Sequence, residues 1–407
     1  MKFFLRTRSI SIVAALAVAS GTAGLASLTA LSGPSAQADP LSTTAEVGVG
    51  ADVTQDLYDG LSGASAPNST ATTFFGPLHA DNANDNTTIQ SYDAFPQGGS
   101  TLNPGCITTK TGGPAFDRPN SSTAGIAALN AEISGSGFEN ASASCTNATV
   151  NVTGQIDFAR SARGPKSTGT TLTFVPFGRD AVAYLYYDHA DGNLNALTTA
   201  QLKGLYGGTI TKIGTDTVKP CLTITGSTPR SNLEAAIGVS DATAEATAKA
   251  AGCDQIQQNS GNAFWTFASG LASGTDAVIP ISSGDWIAQN NGTAVDESAT
   301  ARAHGVTVGS VNDGGTNLGL PYTGSGTSLA PNTTYYQSTS YGYNLYTVLP
   351  TNILSGFNED ASLVNLFTTG SAVLCQTTAQ GVVHQFGFDS LTSGEGTCGS
   401  TTTTGNS

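Results

Sequence analysis

The sequence predicts an α/β protein, and three observations carry that reading. First, strand-like and helix-like patterns alternate: runs at 172–177 and 181–187 precede a helix opened by Thr198 or Thr199, with Leu202 and Leu205 facing inward. A later run at 343–349 precedes a helix capped by Asp360, with Leu363, Leu366 and Phe367 apolar and Gly370 closing it. Alternation of this kind belongs to α/β layering. Second, 407 residues of which 39% are hydrophobic suffice for two lobes with separate cores. Third, only 11% of residues are charged and 49 are Gly, which places long polar loops at 62–91, 98–122, 134–149, 290–300 and 312–340, between the regular elements.

The chain begins with an address rather than a structural element. Lys2, Arg6 and Arg8 precede an apolar stretch from Ile10 to Leu31, and Ala36-Gln37-Ala38 is a small-x-small cleavage signal before Asp39. Residues 1–38 therefore read as a signal peptide, and the mature protein as secreted or associated with the cell wall. The alternative is an uncleaved anchor, but Ser20-Gly21-Thr22 and Gly24 interrupt the tract.

Three later stretches put glycine or small hydroxyl residues at the opening of an amphipathic helix. They are Gly50-Ala51-Asp52-Val53-Thr54, Asn120-Ser121-Ser122-Thr123 and Gly226-Ser227-Thr228-Pro229-Arg230-Ser231. The first N–H groups of a helix lack internal partners and lie at the positive end of its dipole, so small residues there admit an oxyanion. Asp52 with Gln55, and Ser231 with Glu234, have capping-box spacing. Apolar stripes follow at Val53, Leu57 and Leu61, at Ile126, Leu129 and Ile133, and at Leu233 and Ile237. Taken singly, each stretch reads first as a capped surface helix.

Between the second and third stretches, Ile156-Asp157-Phe158-Ala159-Arg160-Ser161-Ala162-Arg163 gathers a carboxylate and two guanidiniums. The apolar approach through Val150, Val152 and Ile156 predicts a strand that delivers Asp157 to a loop at its carboxyl end, where open α/β sheets bind ligands. Arg160, Arg163, Lys166 and Arg179 fall within twenty residues and concentrate positive charge beside it.

Asp-Phe-Ala-Arg-Ser resembles the Asp-Phe-Gly-Ala-Ser type signature of the phosphate-binding proteins of ABC transporters, the PstS-type members of the type II periplasmic-binding-protein family. Further matches follow in the family's order: Phe174-Val-Pro-Phe-Gly-Arg-Asp-Ala-Val-Ala-Tyr184, Leu197-Thr-Thr-Ala-Gln-Leu-Lys-Gly-Leu-Tyr-Gly-Gly208, Val348-Leu-Pro and Phe386-Gly-Phe388. The resemblance spans roughly residues 46 to 399. It implies a two-lobe fold with a hinge crossed twice, near 178–184 and 340–345: lobe I over 39–180, lobe II over 181–340, a return to lobe I over 341–399, and a polar tail at 400–407.

The same resemblance implies the function. A divergent secreted member would capture phosphate or a related oxyanion between its lobes, as a monomer, with no cofactor and no catalysis, for an ABC permease. Its site would comprise Asp52, Val53 and Thr54, then Ser121 and Ser122, then Asp157, then Ser227 and Thr228, with Arg160, Arg163 or Arg230 as counter-charge. Two departures stand out. Pro229 removes an N–H donor from the third loop, and Ile224 and Thr225 stand where relatives place an arginine. Lipoprotein relatives carry a Cys at the cleavage site, whereas the first Cys here is Cys106. The alternative is an extracellular or cell-surface interaction module that keeps the fold without transport.

Six cysteines in an exported chain, none in Cys-x-x-Cys spacing, read as three disulfides, with the local set Cys106–Cys145, Cys221–Cys253 and Cys375–Cys398 preferred among fifteen connectivities. His79, His189, His304 and His384 are scattered and suggest no metal site. Loss of residues 1–38 leaves twelve basic against 29 acidic residues, a formal charge of −17, which argues against a nucleic-acid partner. Leu320-Pro-Tyr-Thr-Gly324 has the form of a wall-sorting signal but lacks the apolar segment and basic tail that must follow it. No Gly-x-Ser-x-Gly elbow, P-loop or His-Glu-x-x-His is present.

Overall fold

The computed structural model describes residues 45–63, 88–96, 105–140, 145, 147–189, 192–392 and 394–407. The signal-peptide reading of residues 1–38, and His79, lie outside the described residues.

Ten strands form one sheet: β1 (Glu46–Gly50), β2 (Ile89–Ser91), β3 (Phe158–Ser161), β4 (Leu172–Tyr187), β5 (Lys212–Ile213), β6 (Asp216–Pro220), β7 (Thr275–Ser282), β8 (Thr307–Val308), β9 (Gly342–Pro350) and β10 (Thr404–Gly405). Their order is β5-β6-β7-β4-β9-β3-β1-β2, with β8 and β10 also paired to β4. The helices that bear on the site are α1 (Gln55–Leu61), α2 (Ser122–Ser134), α3 (Thr199–Tyr206), α4 (Thr228–Ile237), α5 (Asp241–Ala251), α6 (Gly261–Ala268) and α7 (Ser283–Asn291). The α/β expectation therefore holds.

The long strand β4 unites the two halves of the sheet. Residues 172–181 pair antiparallel with β9, whereas Val182–Tyr187 pair antiparallel with β7. Its first half separates two apolar clusters, because alternate side chains leave opposite faces. Val175 and Phe177 join Leu57, Phe158, Leu349 and Phe367 on one face. Leu172 and Phe174 join Val47, Val49, Ile126 and Leu129 on the other. The second half carries a third cluster that extends from Ala181 to Tyr341 and includes Leu202, Leu205, Leu233 and Ile237. The chain passes between halves along β4 and returns along β9.

The runs at 172–177 and 181–187 were expected as separate strands, yet they form one, because the polar residues between them are partnered in place. Arg179 pairs with Glu395 at 2.8 Å and donates to Asn344. Asp180 accepts from Ser282 Oγ at 2.7 Å, from Gly284 N at 3.0 Å and from the Tyr343 hydroxyl. Residues 400–407 are not a free tail: Thr404 and Gly405 pair with Thr173 and Leu172, and Lys166 N donates to Ser407 O at 2.6 Å.

Local signals fare unevenly. Thr198 caps α3 in a complete capping box with Gln201, and Asp360 accepts from the N–H groups of Ser362 and Leu363. The boxes expected at Asp52–Gln55 and Ser231–Glu234 do not form. Gln55 instead accepts from Ala94 N and Phe95 N, and Ser231 lies inside α4, donating to Ser227 O. The positive φ past the helix at 361–367 falls on Thr369 at 71°, not on Gly370. The disulfides are Cys106–Cys145, Cys221–Cys253 and Cys375–Cys398, the expected set.

Candidate functional site

β1 and β3 are parallel with Gly50 beside Arg160, so their carboxyl ends share one rim. Two glycines let α2 reach it. A Cβ on Gly125 would lie 2.6 Å from Gly50 Cα, and one on Gly50 would lie 2.5 Å from Arg160 O. Gly50 also has φ +128°, a conformation that disfavours any side chain. Ser121 caps α2 by accepting from Ala124 N at 3.1 Å, while Ser122 Oγ accepts from Ala162 N at 3.0 Å. Residues 50–54, 121–122 and 160–162 are thus brought together at one edge.

Asp157 is not among them, which corrects the expected topology. The strand starts after this residue instead of ending before it, so Asp157 sits at the amino end of β3, opposite the rim. There it accepts from Val47 N at 2.8 Å and pairs with Lys110 at 2.8 Å.

Arg160 is fully buried, and its guanidinium already has partners: Gly50 O and Ala51 O at 3.3 Å, and Ser91 Oγ. It also stands over the Tyr58 ring at 5.9 Å. Burial lowers its pKa, while Asp59, Asp93 and Asp52 oppose that fall. Thr54 Oγ1 donates to Ala51 O, and Val53 packs in the core.

Ser227 and Thr228 open α4 in the other half of the sheet. The Ser227 hydroxyl bonds to that of Thr223 at 2.6 Å and does not cap the helix. Arg230 departs from its expected role as a ligand counter-charge. It is buried among Glu234, Asp241, Glu245 and Asp254 at 2.7–3.4 Å and donates to Thr223 O, so its charge is neutralised internally. Arg163 donates to Gly164 O and Thr123 Oγ1.

A link between the halves comes from residues that sequence reasoning passed over. Thr223 bridges Ile256, and the chain continues into Gln257, Gln258 and Asn259. Asn259 has φ 55°, a conformation Asn tolerates better than most residues. Its side chain donates to Asp52 Oδ2 at 2.9 Å and accepts from Ser282 N at 3.1 Å, and its carbonyl accepts from Gln289 at 2.6 Å. A cavity of about 40 Å³ lies here, lined by Asp52, Gln55, Asp56, Phe95, Gln257, Gln258, Asn259, Asp285, Gln289, Val295 and Glu297. Four lining residues are acidic and none is basic.

Burial dominates the electrostatics of this cavity. It pushes Asp52 up to about 6, against the lowering effects of Gln258, the N–H groups of Asp52 and Val53, and Arg160. Burial, reinforced by Asp93 and Glu297, lifts Asp56 to about 8. Glu297 rises to about 7, chiefly by burial. Asp285 stands well above the carboxylate range through burial and then repulsion from Asp52, Asp180 and Asp56. Near neutral pH such carboxyls are partly protonated and offer O–H donors as well as acceptors. The sequence signals were the carboxylates at 52, 56 and 59, three or four apart, and the amide run at 257–259.

No protein-family model matches the chain, and no curated protein matches it significantly. Solved structures do. The chain is similar to an ABC-type phosphate transport receptor from Vibrio cholerae, at 14% identity over 86% of this chain and 100% of that one, TM-score 0.44. It is similar to PstS from Borrelia burgdorferi at 13% identity, with the same two coverages and TM-score 0.41. It is also similar to the ancestral soluble variant of the human phosphate-binding protein, at 12% identity over 86% of this chain and 92% of that one, TM-score 0.45.

Proposed function

We propose that this chain is an exported, non-enzymatic solute-binding protein that captures phosphate or a related oxyanion between two lobes. Lobe I would comprise 39–180 and 341–399, lobe II 181–340, and the monomer would serve an ABC permease. The observation that carries the reading is a polar cavity reached from both halves of the sheet, with Asp52 on one wall and Gln258, Asn259 and Asp285 on the other. Asp52 also belongs to the rim where α2 begins, so the proposed anion contacts are the backbone around Asp52 and Val53, with Thr54, Ser121 and Ser122, and on closure Ser227 and Thr228. Asp157 and Arg230 are left out of this set.

The acidity of the cleft selects among anions. A carboxylate beside a bound oxyanion is tolerable where one of the two supplies a proton to a shared hydrogen bond. Phosphate at neutral pH carries one or two protons and sulfate none, so beside Asp52, the lining carboxyl at about 6, sulfate would lose that bond and meet repulsion. Isothermal titration of the mature protein with phosphate and sulfate tests this. Phosphate should bind and sulfate should bind at least tenfold more weakly. No heat with either anion at millimolar concentration would overturn the reading and favour an extracellular interaction module.

A further inference from the structure

The cavity holds buried polar atoms that the protein itself leaves without hydrogen bonds. Asp52 Oδ1, Asp285 Oδ2 and both amide atoms of Gln258 have no partner, although Asp52 is 6%, Asp285 8% and Gln258 3% exposed. The Gln258 amide lies near enough to Asp52 to favour its carboxylate, but without the geometry of a hydrogen bond. Unmade hydrogen bonds at buried groups cost about 1–3 kcal/mol each, and more at charged ones. Such atoms in a cleft point to a ligand that supplies donors.

Three of the unpartnered atoms are acceptors: Asp52 Oδ1, Asp285 Oδ2 and Gln258 Oε1. A primary ammonium has three N–H donors and no acceptor, and its positive charge would favour the ionised, acceptor-only form of the four lining carboxyls. Arg160 acts on Asp52 and Asp56 but keeps its guanidinium on Gly50 O, Ala51 O and Ser91. A metal ion fits less well, since among the described residues these carboxylates do not form a group close enough to share one. The size also suits a small group: about 40 Å³ leaves room for more than one water-sized unit. Phe95 and Val295 supply apolar wall for an adjoining methylene.

We infer that the cavity receives a primary ammonium group, and that the captured solute is an oxyanion bearing one, an aminoalkyl phosphate or phosphonate. The second clause rests on the oxyanion-binding function proposed above; the first does not. Asp52 lies at both places, which puts the ammonium pocket next to the rim proposed for the anion.

Titration of the mature protein with 2-aminoethyl phosphate, ethyl phosphate, ethylamine and inorganic phosphate separates the two. The expected result is that 2-aminoethyl phosphate binds at least tenfold more tightly than ethyl phosphate. Gln258→Leu and Asp285→Asn, each shown to be folded by its melting transition, should both reduce that advantage to about threefold or less. Equal binding of the two esters would overturn the ammonium inference while leaving the oxyanion function standing. Binding of ethylamine without any phosphate compound would keep the ammonium pocket and overturn the oxyanion function. No binding of any of the four would overturn both.

Discussion

Raising the pH from 4 to 8 should destabilise the fold, with Asp52 a measurable share of the loss. Burial lifts its pKa from an ordinary 3.8 to about 6. A carboxyl raised in this way holds its proton more tightly folded than unfolded, so stability falls as pH rises. The penalty is absent below about pH 4, where both states are protonated, and is complete once the pH passes about 6. Two pH units at about 1.4 kcal/mol each come to about 3 kcal/mol. Asp56, at about 8, and Glu297, at about 7, extend the window upward. Both keep some contact with solvent, which screens their contributions. With an unfolding entropy of about 2.1 cal/mol/K per residue, the Asp52 share corresponds to a Tm change of about 3–4 °C in a chain of 407 residues. Asp52→Asn keeps the shape and an acceptor for Asn259 but cannot ionise. Melting both proteins at pH 4 and pH 8 isolates the effect, because Asp180 and Glu234, also raised by burial, are common to both. The wild type should lose several degrees more than the variant over that range. Identical pH slopes would refute the argument that Asp52 is an ionisable group held in a dry cleft.

Other sites give sharper structural expectations. Arg230→Ala should cost at least about 3 kcal/mol in urea melts, because it strands Glu234 and Asp254 in the interior; a variant as stable as wild type would show that the cluster is not balanced by this guanidinium. Replacing Cys221 and Cys253 together by Ser opens a loop with a sequence separation of 32 and should lower stability by about 3–4 kcal/mol, read from the shift in denaturation midpoint. Gly125→Ala puts a methyl 2.6 Å from Gly50 Cα and should push α2 off β1, costing about 1–3 kcal/mol and, if the proposed rim binds phosphate, weakening that binding in the same variant. Unchanged melting and titration curves would mean that the two backbones separate freely.

Much of the fold was legible because it rests on short-range signals. The Thr198 and Asp360 caps, the inward Leu202 and Leu205, and the run at 343–349 are readable from residues within one or two turns of each other. The disulfides were legible because each closes a local loop. What failed depended on distant partners. The segment Gly178-Arg179-Asp180 reads as a break between strands only until Glu395, Ser282, Gly284 and Tyr343 are seen to satisfy its charges. The tail at 404–405 reads as polar coil because its hydrogen bonds are made with a strand more than two hundred residues earlier.

The placement of the candidate residues was legible in part, and what was not legible changes the chemistry of the cleft. Residues 50–54, 121–122 and 160–162 meet as their small side chains and loop positions suggested, yet the charges do not distribute as expected. Asp157 was displaced by a shift of a few residues in where β3 starts, and Arg230 was drawn into a cluster of carboxylates on α4, α5 and Asp254 that no local pattern announces. The acidic composition, read from sequence as a distant and screened surface, instead reaches into the cleft at Asp52, Asp56, Asp285 and Glu297. At the first helix opening the N–H groups of Asp52 and Val53 favour the Asp52 carboxylate, so an anion bound there would share them with a carboxylate of the chain. Beside Asp52, the lining carboxyl at about 6, a ligand is favoured when it brings donors, by carrying protons of its own or an ammonium group, and an anion with neither meets repulsion there.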